Sequence, residues 1–442
     1  MLSNVLKMTD KKILNIFIIF LFVINILQAV FMKLESHEAY YWIYSLYPSF
    51  GYYDHPPMIA WIIYIGRSLL EGELGVRFLL PFLFSGSVYF MWLSSERKNI
   101  LLFILANSSF PVLMASGFYA LPDAPLIFFC SLYFYYLKKY LENDSIINAL
   151  ILGAVTAFMV YSKYQGGLVV VLTLLACPKI FQKGSFYLAL LTGAAIFLPH
   201  IIWQIDNNFP TLQLHVKRHD FDGNGLDFIN FLLSQLVCGG IFIILLLLYH
   251  LIKDKNNSTY NRILKFNILG VFIFFGIIAL KNHVQGQWTV TAFVALSIFS
   301  TSVNFSFQKV KKYMLACLIV PCIIFMLIRI AALNKFDADS HLAILNKISM
   351  AEEETFKIQE ICGSQKIVAN SWHNSSKLSF YSGEFVPDFR RNKQFSLIDY
   401  YFPANVKYCF VSAYDIPGSI PTTLSNRTVY VLRDADLEHC CK

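Results

Sequence analysis

Residues 13–42 read ILNIFIIFLFVINILQAVFMKLESHEAYYW. The apolar run from Ile13 to Met32 has the length of one membrane crossing, for which about 20 residues suffice. It ends in Lys33-Leu34-Glu35 with no small-residue cleavage site, so it reads as a retained helix rather than a removed signal peptide. Directly after it comes a block crowded with acids, an imidazole and aromatic rings, from Glu35 to Trp42. An apolar span delivering such a block to one membrane face sets the reading of the whole chain.

The composition agrees. Of 442 residues, 56% are hydrophobic and only 14% charged, with 41 Phe and 25 Tyr. An average soluble domain carries roughly 25% charged residues and cannot bury this much apolar surface. A cytosolic enzyme, a disordered chain, a collagen and a small disulfide scaffold are all excluded. The formal net charge of +8 does not indicate nucleic acid, because in a membrane protein the position of each Lys and Arg matters more than their sum.

The expected fold class is an α-helical polytopic membrane protein with about eleven transmembrane helices and a small C-terminal α/β extracytoplasmic domain. The candidate spans are 13–32, 75–95, 99–118, 124–140, 146–162, 165–181, 185–204, 227–251, 263–280, 286–304 and 312–333. Pro56 to Leu70 is too short, carries Arg67, and reads as a helix at the interface. With the N-terminus in the cytoplasm, the inner loops collect Lys and Arg, among them Lys11, Lys12, Lys138, Lys139, Lys253, Lys255 and Arg262. The outer loops hold fewer, which is the positive-inside bias. Had Pro56–Leu70 crossed, the bias would reverse.

The spans define residues 1–333 as a transmembrane domain and 334–442 as an exported one. In the tail, Lys366–Trp372, Lys377–Tyr381, Val406–Ser412 and Thr428–Leu432 read as strands, and Glu352–Gly363 as a helix. Cys362 and Cys409 lie in this exported part, where a bridge between them is permitted. The nine cysteines form no CxxC pair, so neither zinc nor an iron–sulfur cluster is indicated.

Chemistry concentrates in the outer loops. The first continues to Gly51-Tyr52-Tyr53-Asp54-His55-Pro56-Pro57, the second holds Leu121-Pro122-Asp123-Ala124-Pro125, and the third Ser162-Lys163-Tyr164-Gln165. The fourth includes His215, Lys217, Arg218 and His219, and the fifth His283 and Trp288. Ionisable groups at a membrane edge are functional candidates by default. Lys163, Lys217 and Arg218 suit phosphate oxygens. Glu38, Asp54 and Asp123 suit a proton acceptor or a metal. Tyr40, Tyr41, Trp42, Tyr53 and Trp288 suit sugar faces or the headgroup belt. Each has a plainer reading: Glu38 and Asp123 as helix-start carboxylates, Lys163 as a snorkelling base.

HEAYYW, GYYDHPPMIAW, LPDAPLIFF and SKYQGGL, in that order, resemble the membrane glycosyltransferases of the protein-mannosyltransferase and aminoarabinose-transferase type. These are GT-C proteins, whose bacterial relatives include lipid A and core galacturonosyltransferases. HVQGQW and the tail stretch NSWHNSSKLSFYSGE look like the same group. The resemblance implies a multi-pass protein of the bacterial inner membrane with a periplasmic active site. It further implies inverting transfer of a sugar from a polyprenyl-phosphate donor to an acceptor hydroxyl on an envelope glycolipid, glycan or protein. The family usually opens the first loop with Asp-Glu, the Asp acting as base; here the pair is His37-Glu38. Asp123 matches the second-loop Asp. Asp54-His55 falls where some members carry an acid followed by Lys, near a metal and the donor phosphate.

The candidate catalytic residues are therefore His37, Glu38 and Asp123. His55, Lys163, Lys217 and Arg218 are the candidates for the donor phosphate, and Asp54 with His55 for a divalent metal ion. Carboxylate plus imidazole is too small a set to specify that metal. A lipid-linked-sugar flippase is the rival reading, though the chain shows neither the ionisable groups near the middle of its spans that transporters commonly carry nor an evident repeat. A non-catalytic relative that binds lipid-linked sugar is the second rival.

Overall fold

The computed structural model describes residues 9–96, 99–217, 225–302, 320, 323–334, 351–403, 406–424 and 427–437. The chain divides into two compact units: one of Met1–Ile26, His55–Ile59 and Leu79–Phe325, the other of Leu27–Asp54, Ala60–Phe78 and Met326–Lys442.

The first unit is helical. Among the described residues, four helices are long and apolar enough to cross a bilayer: Asp10–Phe31, Gly72–Ser94, Gly184–Asp206 and Thr259–Ala279. Other expected spans take shorter or interrupted forms. Residues 99–118 break into Ile100–Ser109 and Pro111–Ala115, because Pro111 has no N–H to continue the ladder. Residues 227–251 form two helices bent by 97°, with Gly240 supplying a positive φ of 65° at the break. Of the expected last span, residues 323–331 are helical. The stretch expected at the interface forms the Met58–Leu69 helix.

Local signals place the starts of these helices. Asn99, Ser145 and Ser258 each accept a hydrogen bond from a backbone N–H three residues on, satisfying an orphan donor. The Ile146–Ser162 and Gly184–Asp206 helices meet backbone to backbone at Gly153, where an added Cβ would lie 2.3 Å from the Ala189 carbonyl oxygen. Small residues permit such approach where lipid offers no hydrophobic drive. The opposite side of Gly184–Asp206 exposes Leu190, Leu191, Leu198, Ile201 and Ile205, as a lipid-facing surface requires. The core behind it is aromatic, with Phe103, Phe110, Phe134, Phe293 and Phe299 fully enclosed.

The second unit joins the first outer segments to the tail. Its sheet has strands β1 (Ile367–Ala369), β2 (Tyr408–Ser412), β3 (Ile420–Leu424) and β4 (Arg427–Ala435), in the order β1-β2-β4-β3. β1 pairs parallel with β2, and the other pairs are antiparallel. The expected strands around 367, 408 and 428 and the helix Ala351–Cys362 are present, while β3 was not foreseen. Lys377–Tyr381 is helical, not extended, within Trp372–Ser382. Ser371 caps that helix from its side chain, and Gly383, with φ 75°, ends it. Cys362 and Cys409 form a disulfide with Cα atoms 5.4 Å apart, tying the Ala351–Cys362 helix to β2.

Candidate active site

In the second unit the block that opens the first outer loop forms the Ser36–Leu46 helix. Glu35 is its N-cap. Its carboxylate accepts from the His37 backbone N–H at 2.7 Å, and its own N–H donates to Glu38 Oε2 at 3.1 Å, a reciprocal cap. Glu35 Oε2 also lies 2.9 Å from His37 Nδ1. Burial pulls the Glu35 carboxyl upward, but the hydrogen bond and charge of His37 outweigh it and hold the group at about 2. The His37 ring is 46% exposed and sits edge-on to Trp372 and His373, with centroids 5.2 Å and 5.8 Å away.

Glu38 points inward. Arg77 Nε donates to its Oε1 at 2.7 Å and Nη2 to its Oε2 at 2.5 Å. Arg77 also donates to the backbone carbonyls of Met32 and Lys33, just beyond the C-terminal end of the first helix, where orphan acceptors and negative dipole favour a cation. One guanidinium thus welds the end of that helix to the start of the next.

Asp54 is buried and holds a second cluster. Its carboxylate accepts from the hydroxyls of Tyr40 and Tyr44 and lies 3.5 Å from Lys393 Nζ. Burial first, and then the neighbouring Asp54 charge, push both phenols well above their usual range, so they remain donors. Gln394, next to Lys393, donates its N–H to Tyr40 Oη and accepts from the Tyr53 N–H, both at 3.0 Å. Tyr41 packs edge-on to Tyr44, and Trp42 edge-on to Phe380 of the tail. These aromatics serve first as packing. Trp372, His373, Lys393 and Gln394 carry much of the cluster. Only the tail stretch around Trp372 had a signal in the sequence.

In the first unit Asp123 begins the Asp123–Glu142 helix and Lys163 is the C-cap of Ile146–Ser162. Their side chains pair, with Lys163 Nζ 2.8 Å and 3.1 Å from the two Asp123 oxygens. Only 7% of the Lys163 and 12% of the Asp123 side chain are exposed. A local partner for Lys163 had not been expected. Beside it, Tyr164 Oη lies 2.8 Å from His200 Nε2 and accepts from Gln204 at 3.0 Å. The Trp288 indole N–H donates to Gln285 at 3.2 Å, and His55 is half-buried. Arg218 and the side chain of Lys217 lie outside the described residues.

Among the described residues no three or more His, Cys, Asp and Glu side chains gather as a metal would need. Asp54 is engaged instead by two hydroxyls and an ammonium, a donor set suited to a held carboxylate. The residues present do not fit the metal expected at Asp54-His55.

The sequence model of the dolichyl-phosphate-mannose-protein mannosyltransferase family matches residues 54–203, the segment that holds Asp123 and Lys163. Lipid A galacturonosyltransferase RgtD of Rhizobium johnstonii is 23% identical over 281 residues, which span 60% of this chain and 59% of that protein. The crystal structure of ArnT from Cupriavidus metallidurans in the apo state superposes with a TM-score of 0.67 at 13% identity, covering 95% of this chain and 98% of that one. The same protein bound to undecaprenyl phosphate gives 0.66, covering 94% and 97%. At that identity the match establishes a shared fold, a helical polytopic membrane fold with a small C-terminal sheet. In its motifs, its matched segment and its fold, the chain is similar to the GT-C membrane glycosyltransferases.

Proposed function

We propose that the chain is an inverting glycosyltransferase that moves a sugar from a polyprenyl-phosphate donor to an acceptor hydroxyl of an envelope glycolipid, lipid A or core oligosaccharide foremost. The reading places it as a multi-pass protein of the bacterial inner membrane, with residues 1–333 as the transmembrane part and 334–442 as the extracytoplasmic part. The relatives support the substrate class: one is named for lipid A, and one solved structure holds undecaprenyl phosphate.

The observation that carries the proposal is the buried Asp123–Lys163 pair, drawn from two separate motifs inside the family-matched segment. Transfer forms a bond from the acceptor oxygen to the anomeric carbon and breaks the bond from that carbon to the phosphate oxygen. The hydroxyl proton needs an acceptor, and the departing phosphate needs a cation. Asp123 and Lys163 are of those two types, and a water-poor setting strengthens both roles. His37, the exposed imidazole of the first loop, is the other candidate proton acceptor. Glu38, with both oxygens bound, is assigned to positioning.

The test is mass spectrometry of envelope glycolipids from cells with the protein, without it, and with Asp123→Asn or Lys163→Met at normal protein level. A sugar-bearing species that needs the protein and is lost in either variant supports the proposal. Identical profiles in all four cell lines refute it.

A further inference from the structure

Glu35 is an uncommon choice for a helix cap. The preferred N-cap residues are Ser, Thr, Asp and Asn, whose short side chains turn straight back to a backbone N–H. Glu35 is longer than Asp by a methylene, and its carboxylate reaches further. Oε1 accepts from the Ser36 hydroxyl. Oε2 accepts from the His37 backbone N–H at 2.7 Å and lies 2.9 Å from His37 Nδ1. The Glu35 N–H is tied to Glu38 at 3.1 Å, and Arg77 holds Glu38 in turn. The carboxylate that meets the imidazole is thus fixed at its backbone and at both oxygens.

These contacts decide which ring nitrogen carries the proton. The Glu35 carboxyl, held at about 2, is ionised at neutral pH and can only accept. Nδ1 of the neutral imidazole is therefore the donor, and Nε2 keeps its lone pair. Among the described residues none forms a hydrogen bond with Nε2, and the ring is 46% exposed. Edge-on contacts with Trp372 and His373 set the plane of the ring. His37 is also the second residue of the Ser36–Leu46 helix, where an imidazolium meets the positive end of the helix dipole. A carboxylate against Nδ1 offsets that repulsion. A cap alone needs none of this.

We propose that Glu35 is a positioning residue for His37, presenting Nε2 as the proton acceptor in transfer and stabilising the imidazolium that forms. This rests on the glycosyltransferase reading above and, of its two candidate proton acceptors, takes His37. The proton of the acceptor hydroxyl passes to Nε2 as its oxygen bonds to the anomeric carbon. The bond from that carbon to the phosphate oxygen breaks, and its electron pair stays on the phosphate. Glu35 remains ionised and takes no proton. The imidazolium then releases its proton to water.

The experiment has two arms, both on the full-length chain. In the first, nitrogen NMR of the purified protein at about pH 8, above the reference imidazole value, reads the His37 tautomer, with His37→Ala to assign the signals. The proton should lie on Nδ1. Glu35→Ser keeps a cap but cannot reach the ring, and should move the proton toward Nε2. A proton on Nε2 in wild type, or a tautomer unmoved in the variant, overturns the inference.

In the second arm, mass spectrometry follows the rate at which the protein-dependent envelope glycolipid accumulates after induction, at equal protein level. Glu35→Ser should slow it about tenfold or more, within the roughly 10²- to 10⁴-fold loss expected of His37→Ala. Added to His37→Ala, Glu35→Ser should cost nothing further, because it acts through the ring. If the Ser variant does not accumulate, Glu35→Asn, another good cap, takes its place. An unslowed Glu35 variant overturns the inference. An equal loss with and without His37 marks a structural role and overturns it too. Full transfer in His37→Ala overturns it while the glycosyltransferase reading stands on Asp123. No protein-dependent glycolipid in wild type overturns that reading, and this inference with it.

Discussion

Arg77 grips Glu38 with two parallel hydrogen bonds, 2.7 Å and 2.5 Å long, and neither side chain has any exposure to solvent. A buried pair is not strong evidence of net stability, but breaking one leaves an uncompensated charge. Glu38→Gln should therefore cost about 3–5 kcal/mol, and Arg77→Met a similar amount. Glu38→Gln combined with Arg77→Met should cost less than the sum of the two singles, because no lone charge remains. Thermal unfolding of the purified chain measures all three. Full stability in Glu38→Gln would show that the carboxylate does not hold the two helices together.

Glu35 makes stability depend on acid. Its folded-state carboxyl lies at about 2 against an ordinary value of 4.5, because the His37 hydrogen bond and charge outweigh burial. A depressed carboxyl contributes stability that is complete above the unfolded value and is lost as pH falls through the folded one. Wild type should exceed Glu35→Gln in stability at about pH 5, and the gap should close between about 4.5 and 2. A gap that stays constant down to about pH 2 would mean that the cap, and not the charge, matters.

The Cys362–Cys409 bridge closes a separation of 47 residues in the tail. Chain-entropy reasoning values such a loop at about 4 kcal/mol. Cys409→Ser, or reductant, should lower the unfolding temperature of the tail, and neither thiol should react with a label in the denatured, unreduced protein. Free reaction of both would contradict the bridge.

The membrane class and the helical character were legible because apolar run length follows directly from bilayer thickness. Individual breaks were not. Pro111 and Gly240 interrupt stretches whose average hydropathy reads as continuous. Lys377–Tyr381 looked extended because alternation over a few residues does not show the Ser371 cap and Gly383 stop that enclose it. In the candidate site, residue types were readable and pairings were not. Nothing in sequence spacing joins Asp123 to Lys163, Glu38 to Arg77, or Asp54 to Lys393, which lie far apart along the chain.

Those pairings narrow the question of the base. Glu38 is held by Arg77 with no exposure to solvent, whereas Asp123 keeps 12% of its side chain exposed and the His37 ring 46%, so Asp123 and His37 are the proton acceptors tested first. An acceptor hydroxyl is a poor nucleophile at neutral pH, and loss of a positioned base costs typically about 10²- to 10⁴-fold in rate. Asp123→Asn keeps shape and removes charge. If Asp123 is the base, kcat should fall in that range while the donor KM changes little, and Lys163→Met should instead act chiefly through KM. If His37 is the base, His37→Ala should show the kcat loss and His37→Asp should retain substantial transfer. The Asp variant should then work best at lower pH, because a carboxylate's reference pKa lies below that of an imidazole. A merely structural Asp123–Lys163 pair would behave differently: both single variants would lose stability in step with activity, and the double variant would recover part of each. Steady-state kinetics in membranes supplied with donor, run beside thermal unfolding, separate these outcomes. Full transfer in both His37→Ala and Asp123→Asn would remove catalysis from both residues and favour the flippase or binding reading.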